Sequence, residues 1–86
     1  MPEICRFLGI IITMYFDEHN PPHFHAIYNE HKASISIQTL GVLQGKLPSK
    51  VLSLVIEWAQ DNQQELLKNW NSLQSSGKYI KIKPLV

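Results

Sequence analysis

The residues of this chain that are best suited to chemistry are its histidines, which are concentrated in one short segment. All four lie between positions 19 and 31, and three of them, His19, His23 and His25, follow directly after the carboxylates Asp17 and Glu18. Imidazoles beside carboxylates bind divalent metal ions, transfer protons near neutral pH, and hold phosphate when they are protonated. The spacing therefore indicates a functional site around residues 17–25 and leaves these chemistries open.

A metal centre is the first hypothesis for this segment. Side chains of a strand alternate between its faces, so His23 and His25 are predicted to share one face, and His19 is expected to approach from the preceding loop. Asp17 or Glu18 would add an oxygen; we predict Asp17, His19, His23 and His25 as ligands. Imidazole and carboxylate donors suit a divalent transition metal such as Zn, Mn, Fe or Ni, and a catalytic zinc site keeps one position for an activated water.

Two alternatives need no metal. In the first, His23 and His25 are catalytic and act as acid and base on RNA or another phosphodiester, with a basic neighbour such as Arg6 or Lys32. In the second, the imidazoles are structural: one caps the turn and another bonds a backbone carbonyl. The chain has no His-Glu-x-x-His motif and no zinc-finger spacing, so the sequence leaves open whether it is an enzyme.

The elements that must position these histidines are predicted to be strands. Residues 9–16 are β-branched and aromatic and are expected to form a central strand covered on both faces, followed by a stiff loop at 17–22 with two prolines. Residues 23–29 and 32–38 are predicted to pair as a hairpin with its turn near 29–31, and residues 40–45 to add a short strand or a turn. An antiparallel sheet of three to five strands follows from this pattern.

A helical period begins near Pro48 and ends at Gly77, which is typical of a helix C-terminus. We favour one long unbroken helix packed across the sheet; a break near residues 60–62, with Asp61 as a new cap, is the alternative. Residues 78–84 alternate and are predicted to form an edge strand. The predicted fold class is therefore α+β, with residues 1–86 as a single domain.

The two tryptophans of the helical segment are expected mainly to pack in the core. They are twelve residues apart, a little over three helical turns, so they share one side of the predicted helix. Trp70 lies in the more polar half, between Asn69 and Asn71, and is the predicted partner-binding residue.

Composition excludes several classes of protein. The net charge of +1 does not indicate a strongly basic nucleic-acid-binding domain, and no apolar stretch approaches the roughly 20 residues of a membrane helix. Cys5 is the one cysteine, so an internal disulfide is excluded and a reducing, cytoplasmic location is expected; its apolar neighbours predict a buried thiol. A chain of this size has a small core, and pairing with another copy would stabilise it.

Several segments together resemble the bacterial domain-of-unknown-function family numbered 4160. They are Met1-Pro2-Glu3-Ile4, Arg6-Phe7, Gly9-Ile10, Met14-Tyr15-Phe16, His19-Asn20-Pro21-Pro22-His23-Phe24-His25-Ala26, Gly45-Lys46-Leu47-Pro48, Glu57-Trp58-Ala59 and Leu66-Leu67-Lys68-Asn69-Trp70. The resemblance implies a small bacterial protein, often encoded beside another small domain of unknown function, in an arrangement similar to a toxin–antitoxin module. It implies that Asp17, His19, Asn20, Pro21, Pro22, His23 and His25 form the characteristic motif, and it assigns no activity.

The sequence therefore predicts a component of a two-protein, toxin–antitoxin-like module whose functional site is the histidine cluster. The small protein encoded by a neighbouring gene is the expected partner. The first alternative is a metal-dependent or acid–base enzyme acting on RNA or another phosphodiester. The second is a purely structural interaction domain.

Overall fold

The structure is a computed structural model that describes residues 2–16 and 18–86. Five strands form one antiparallel sheet in chain order, and two helices follow: β1 Glu3–Phe7, β2 Ile10–Thr13, β3 His23–Tyr28, β4 His31–Ser36, β5 Val42–Lys46, α1 Ser49–Asp61 and α2 Gln63–Ser76. The predicted α+β class and antiparallel sheet are confirmed. In the part of the chain that is described, neither helix has the length and apolar character needed to cross a membrane.

The turns of the sheet depend on residues with positive φ. Leu8 and Gly9 have φ values of 49° and 78° and join β1 to β2 in a two-residue turn, a geometry that matches the twist of antiparallel strands. Asn29, with φ of 54°, begins the turn between β3 and β4 where the sequence placed it. The strand predicted over residues 9–16 ends at Thr13, and Phe16 is 60% exposed rather than covered.

One face of the sheet packs on the helices and forms the core. Trp58 of α1 contacts the rings of Phe24 and Phe7 at centroid distances of 5.9 and 5.7 Å. The buried strand residues alternate along the chain as expected for a sheet with one apolar face. They include Ile4, Ile10, Ile12, Phe24, Ala26, Ala33 and Ile35. Residues at the intervening positions, among them His23 and His25, lie on the opposite face.

The predicted single long helix is wrong, and the alternative break at residues 60–62 is confirmed. Asn62 leaves the helical conformation at φ −131°, and its backbone N–H donates to Ala59 rather than to Trp58. The Asn62 side-chain amide donates to the freed Trp58 carbonyl at 2.7 Å, which satisfies that buried group at the break. Asn62, and not Asp61, is the N-cap residue of α2.

Because of this break, α2 lies across one end of the sheet. Gln63 at its start donates to the carbonyl of Ile37, just beyond β4, at 2.8 Å. Gln74 near its end donates to the carbonyl of Tyr15, just beyond β2, at 3.3 Å. This is the end of the sheet at which β3 begins with His23, so α2 forms a wall beside the histidine string.

The edge strand predicted at residues 78–84 is wrong. Its backbone groups bond to helix side chains: the buried Asn69 amide accepts from Ile80 N–H at 3.0 Å and donates to Ile80 C=O at 2.8 Å. Trp58 Nε1 donates to the Lys83 carbonyl at 2.9 Å, and Ile82 N–H donates to the carbonyl of Ile4 in β1. The segment therefore covers the sheet edge as irregular chain.

Candidate metal centre

The candidate site is a cluster of one carboxylate and two imidazoles on the open face of the sheet. His23 and His25 occupy alternate positions of β3 and so project from the same face, and Glu18 reaches them from the preceding loop. One potential ligand atom from each of the three lies within 4.8 Å of the other two. Glu18 Oε1 lies 2.9 Å from His25 Nε2 and 3.6 Å from His23 Nε2.

The His23 ring is oriented by the proline loop. Its Nδ1 lies 2.8 Å from the carbonyl of Pro21, and because a carbonyl can only accept, Nδ1 carries the proton. Nε2 is therefore the ring nitrogen that faces Glu18. The Trp70 ring packs against the imidazole at a centroid distance of 5.1 Å, and the His23 side chain is 12% exposed.

The His25 ring is held from both of its nitrogens. Nε2 donates to Glu18 at 2.9 Å, and Nδ1 lies 3.2 Å from the Ser34 hydroxyl. Ser34 is the direct partner of His25 in the ladder between β3 and β4, so the strand register brings these groups together. The Tyr15 ring contacts the imidazole edge-on at 4.7 Å.

Burial and hydrogen bonding set the charge states of the cluster. Burial lowers the pKa of His25 more than the hydrogen bond that it donates to Glu18 raises it, and the nearby charges of His23 and Lys32 lower it further. The hydrogen bond from His25 lowers the pKa of Glu18 in turn, against a smaller opposing effect of burial. Near neutral pH the imidazole of His25 is neutral and Glu18 is ionised, which are the forms that coordinate metals.

The spacing of the three groups suits a four-coordinate ion. Ligand bonds of about 2.0–2.1 Å at tetrahedral angles place ligand atoms about 3.3 Å apart. The two separations from Glu18 Oε1, 2.9 and 3.6 Å, bracket this value. The Pro21 carbonyl and the Ser34 hydroxyl act on the Nδ1 atoms, as partners outside the ligand set commonly do for metal-bound histidines.

The cluster opens into a cleft of about 330 Å³. Its lining residues are Glu18, His19, Asn20, Pro21, His23, His25, Ser34, Leu43 and Gln44. The Glu18 side chain is 29% exposed, so the site is reachable from solvent. A fourth ligand, such as water or a substrate oxygen, has room to enter from this side.

The structure brings together only part of the predicted ligand set. His23 and His25 meet as expected, while the exposed His19 lines the cleft outside the three-residue cluster. Asp17 lies outside the described residues, so its predicted role stays a prediction. Glu18, the other carboxylate considered from the sequence, supplies the oxygen seen in the cluster.

Ser34 is the residue that sequence analysis did not connect with the site. Strand alternation places Ser34 on the outward face of β4, but the register that sets it opposite His25 depends on how the two strands pair. Trp70 is 4% exposed and forms a wall of the site, so it presents almost no surface to a partner in this structure. Its predicted partner contact remains untested.

Three other side chains that the sequence offered for chemistry are Cys5, Arg6 and Lys32. Cys5 is 4% exposed, and burial raises its pKa, as expected for an unreactive core thiol. Arg6, one of the two basic neighbours predicted for a phosphodiester, forms an ion pair with Glu3 at 2.7 Å. Lys32, the other one, lies on the same sheet face as His25, with its ammonium 5.8 Å from the Tyr15 ring centroid.

Comparison with known proteins gives one match. The family model described as "Domain of unknown function (DUF4160)" matches residues 9–71, which contain the complete histidine string, the sheet from β2 onward and α1. No curated protein and no solved structure matches the chain.

Proposed function

The chain belongs to the DUF4160 family of domains of unknown function, and we propose that Glu18, His23 and His25 bind one divalent transition-metal ion that serves hydrolysis. The observation that carries this proposal is the convergence of the three ligand atoms within 4.8 Å, with each Nδ1 atom already engaged by an outer partner. Two imidazoles and one carboxylate form the ligand set of several catalytic zinc and iron sites. Zinc, manganese, iron and nickel all suit these donors.

Each residue has a defined part in this chemistry. His23 and His25 would offer Nε2 and Glu18 would offer Oε1 to the ion, beside the cleft that opens to solvent. An ion held there would supply Lewis acidity, which lowers the pKa of water toward neutral and favours hydrolysis. Glu18 and the two rings fix the geometry, and the cleft admits the substrate. Phosphodiesters, including RNA, are the substrate class that we expect.

Metal binding requires a change of tautomer at His25. Without an ion, Nε2 carries the proton that Glu18 accepts, and the Ser34 hydroxyl donates to Nδ1. If Nε2 held an ion, Nδ1 would carry the proton and donate a hydrogen bond to the Ser34 oxygen. Ser34 serves both states because a hydroxyl is both a donor and an acceptor.

The same contacts also form a Ser34–His25–Glu18 relay, in which Ser34 would be a nucleophile without any metal. This arrangement, like the metal-free acid–base alternative, is less well supported than the metal site. Ser34 lies within a strand that is paired on both sides, opposite His25 and Gln44, and not at a helix N-terminus, where free backbone N–H groups could hold an oxyanion. The relay also gives no role to His23.

We further propose that this protein acts within a two-protein, toxin–antitoxin-like module, with a small protein encoded by a neighbouring gene as the partner. The family resemblance motivates this role. A structural feature that supports an interaction is β5, an edge strand exposed at every residue, on which Val42 and Leu43 are 44% and 48% exposed. Unpaired strand edges accept additional strands. Co-expression with the neighbouring gene product tests this role. If the two proteins do not co-purify, the proposed partnership is contradicted.

The metal proposal is tested by native mass spectrometry of untagged protein, by zinc titration and by hydrolysis of bis(p-nitrophenyl) phosphate. Wild type should carry one ion per chain, and His23→Ala and Glu18→Gln should each lose it. His31→Ala is the matched control, because His31 lies at the β3–β4 turn beside Glu30 and outside the cluster. Unchanged metal affinity in folded His23→Ala would refute the proposal, and metal binding without hydrolysis would remove its catalytic part.

A further inference from the structure

A pair of lysines lies next to the cluster on the same face of the sheet. In the ladder between β4 and β5, Lys32 is directly opposite Lys46, and the neighbouring pair on that face is Ser34 with Gln44. Directly opposed residues place their Cβ atoms about 4.5–5.5 Å apart. Both side chains are exposed on this face of the sheet, and the Lys32 ammonium lies 5.8 Å from the Tyr15 ring centroid.

This arrangement of charge is unfavourable without a ligand. Like charges directly opposite each other destabilise a sheet. Within residues 2–16 and 18–86, no carboxylate lies within ion-pair distance of either lysine. The other cation in this cross-strand row, Arg6, is paired with Glu3 instead. An anion between Lys32 and Lys46 would relieve their repulsion.

Lys32 of this pair lines a second cleft that adjoins the candidate metal centre. This cleft, of about 270 Å³, is lined by His25, Lys32, Ser34 and Gln44, with Ala33 and Gly45. His25, Ser34 and Gln44 also line the cleft over the histidine cluster, so the two depressions meet along one wall. Lys32 and Ser34 are two positions apart in β4, a distance of about 7 Å along the strand.

We propose that Lys32 and Lys46 form a phosphate-binding subsite, which holds one phosphate group of a phosphate-ester ligand while its ester bond lies in the adjoining cleft. The assignment of this ligand as a substrate rests on the proposed function, whereas the anion site itself does not. An ammonium pair recognises a phosphate by its charge, without reading a base sequence. Single-stranded nucleic acid and free phosphate or mononucleotides share this chemistry.

The test compares full-length wild type with the double variant Lys32→Gln/Lys46→Gln by isothermal titration, using a single-stranded RNA hexanucleotide and inorganic phosphate as probes. Lys50→Gln/Lys68→Gln, which removes two exposed helix lysines, is the matched control. Each titration is run with zinc and with a chelator. We expect the Lys32/Lys46 variant to bind the hexanucleotide at least tenfold more weakly, while the control stays within about threefold of wild type. Loss of one phosphate contact should also reduce the salt slope by about 0.7.

The outcomes distinguish a polymeric ligand from a small phosphate, and they test the lysine subsite separately from the metal centre. Hexanucleotide binding that inorganic phosphate does not displace supports the subsite and assigns a polymeric ligand; displacement by millimolar phosphate supports it and assigns small phosphates. Lys32→Arg/Lys46→Arg should keep wild-type binding, since the charge is retained. An equal loss in the control variant, or no loss in the Lys32/Lys46 variant, overturns the subsite. Lysine-dependent binding in a protein that takes up no zinc leaves the subsite intact and refutes the metal centre.

Discussion

Ser34→Ala tests the arrangement of the site without removing any proposed ligand. The Ser34 hydroxyl is the partner of His25 Nδ1, and in the metal-bound form it would accept the Nδ1 proton and so keep Nε2 free for the ion. Alanine removes this acceptor and leaves the β-strand backbone in place. The substitution should therefore weaken metal binding while the protein stays folded.

The size of the effect follows from the contact. Removing an outer partner of a metal-bound histidine costs 10- to 100-fold in affinity, about 1.4 to 2.7 kcal/mol. The distance from Ser34 Oγ to His25 Nδ1 is 3.2 Å, at the long end of the hydrogen-bond range. We therefore expect an effect near the lower end of this 10- to 100-fold range. We expect about a tenfold increase in the zinc Kd. Ser34→Thr retains a hydroxyl and should stay within about threefold of wild type.

Competitive zinc titration measures the affinity, and ¹⁵N NMR of the imidazoles reports the His25 tautomer. Ser36→Ala is the control on the same strand, because the Ser36 hydroxyl accepts from Thr39 N–H and lies opposite His23 rather than His25. A zinc Kd within twofold of wild type in Ser34→Ala, or the same loss in Ser36→Ala, would refute the reasoning. Unchanged zinc affinity with complete loss of hydrolysis would favour Ser34 as a nucleophile.

Two further predictions concern stability. In metal-free protein, the free energy of unfolding should fall as the pH is lowered from 7. The first decrease begins below about 6.5, because His25 takes up a proton in the unfolded chain while its lowered pKa keeps it neutral in the folded protein. A second decrease begins below 4.5, because the pKa of Glu18 is also lower in the folded protein than in the unfolded chain. Urea unfolding at pH 7.0, 5.5 and 4.0 measures this, and a stability that rises between 7.0 and 5.5 would contradict it. Asn69→Ala should cost about 1–3 kcal/mol, because both hydrogen bonds to the Ile80 backbone are lost, and should speed amide exchange at residues 78–82. The exposed neighbour Asn71→Ala should change stability by less than about 0.5 kcal/mol, and an equal effect of the two would show that the contact to Ile80 is unimportant.

Local sequence signals identified most of the elements correctly. The β3–β4 hairpin, its turn at Asn29, the helical segment after Pro48 and its end at Gly77 all follow from alternation, helical period and residues that permit positive φ. The first strand, Glu3–Phe7, was not predicted, because its pairing depends on a two-residue turn at Leu8-Gly9 that lacks the usual Asn-Gly signal.

The errors concern residues whose hydrogen bonds join distant parts of the chain. The helix period continues through residue 62, and the break depends on the buried Asn62 amide, which satisfies the Trp58 carbonyl. Residues 78–84 alternate like a strand, yet Asn69 and Trp58 of the helices take the backbone bonds that a sheet would have used. Periodicity describes which face is apolar and does not specify where backbone groups find their partners.

In the candidate site, too, some features follow from the local sequence and others depend on contacts between distant segments. The sequence by itself determined that His23 and His25 share one face of a strand beside a carboxylate, because strand alternation is a local property. Only the tertiary structure decided that Glu18 supplies the oxygen of the cluster, that Ser34 and Pro21 orient the rings, and that Trp70 lies against His23 instead of at the surface. These contacts depend on strand register and on the position of α2 across the sheet end, and both are set by packing between segments far apart in the chain.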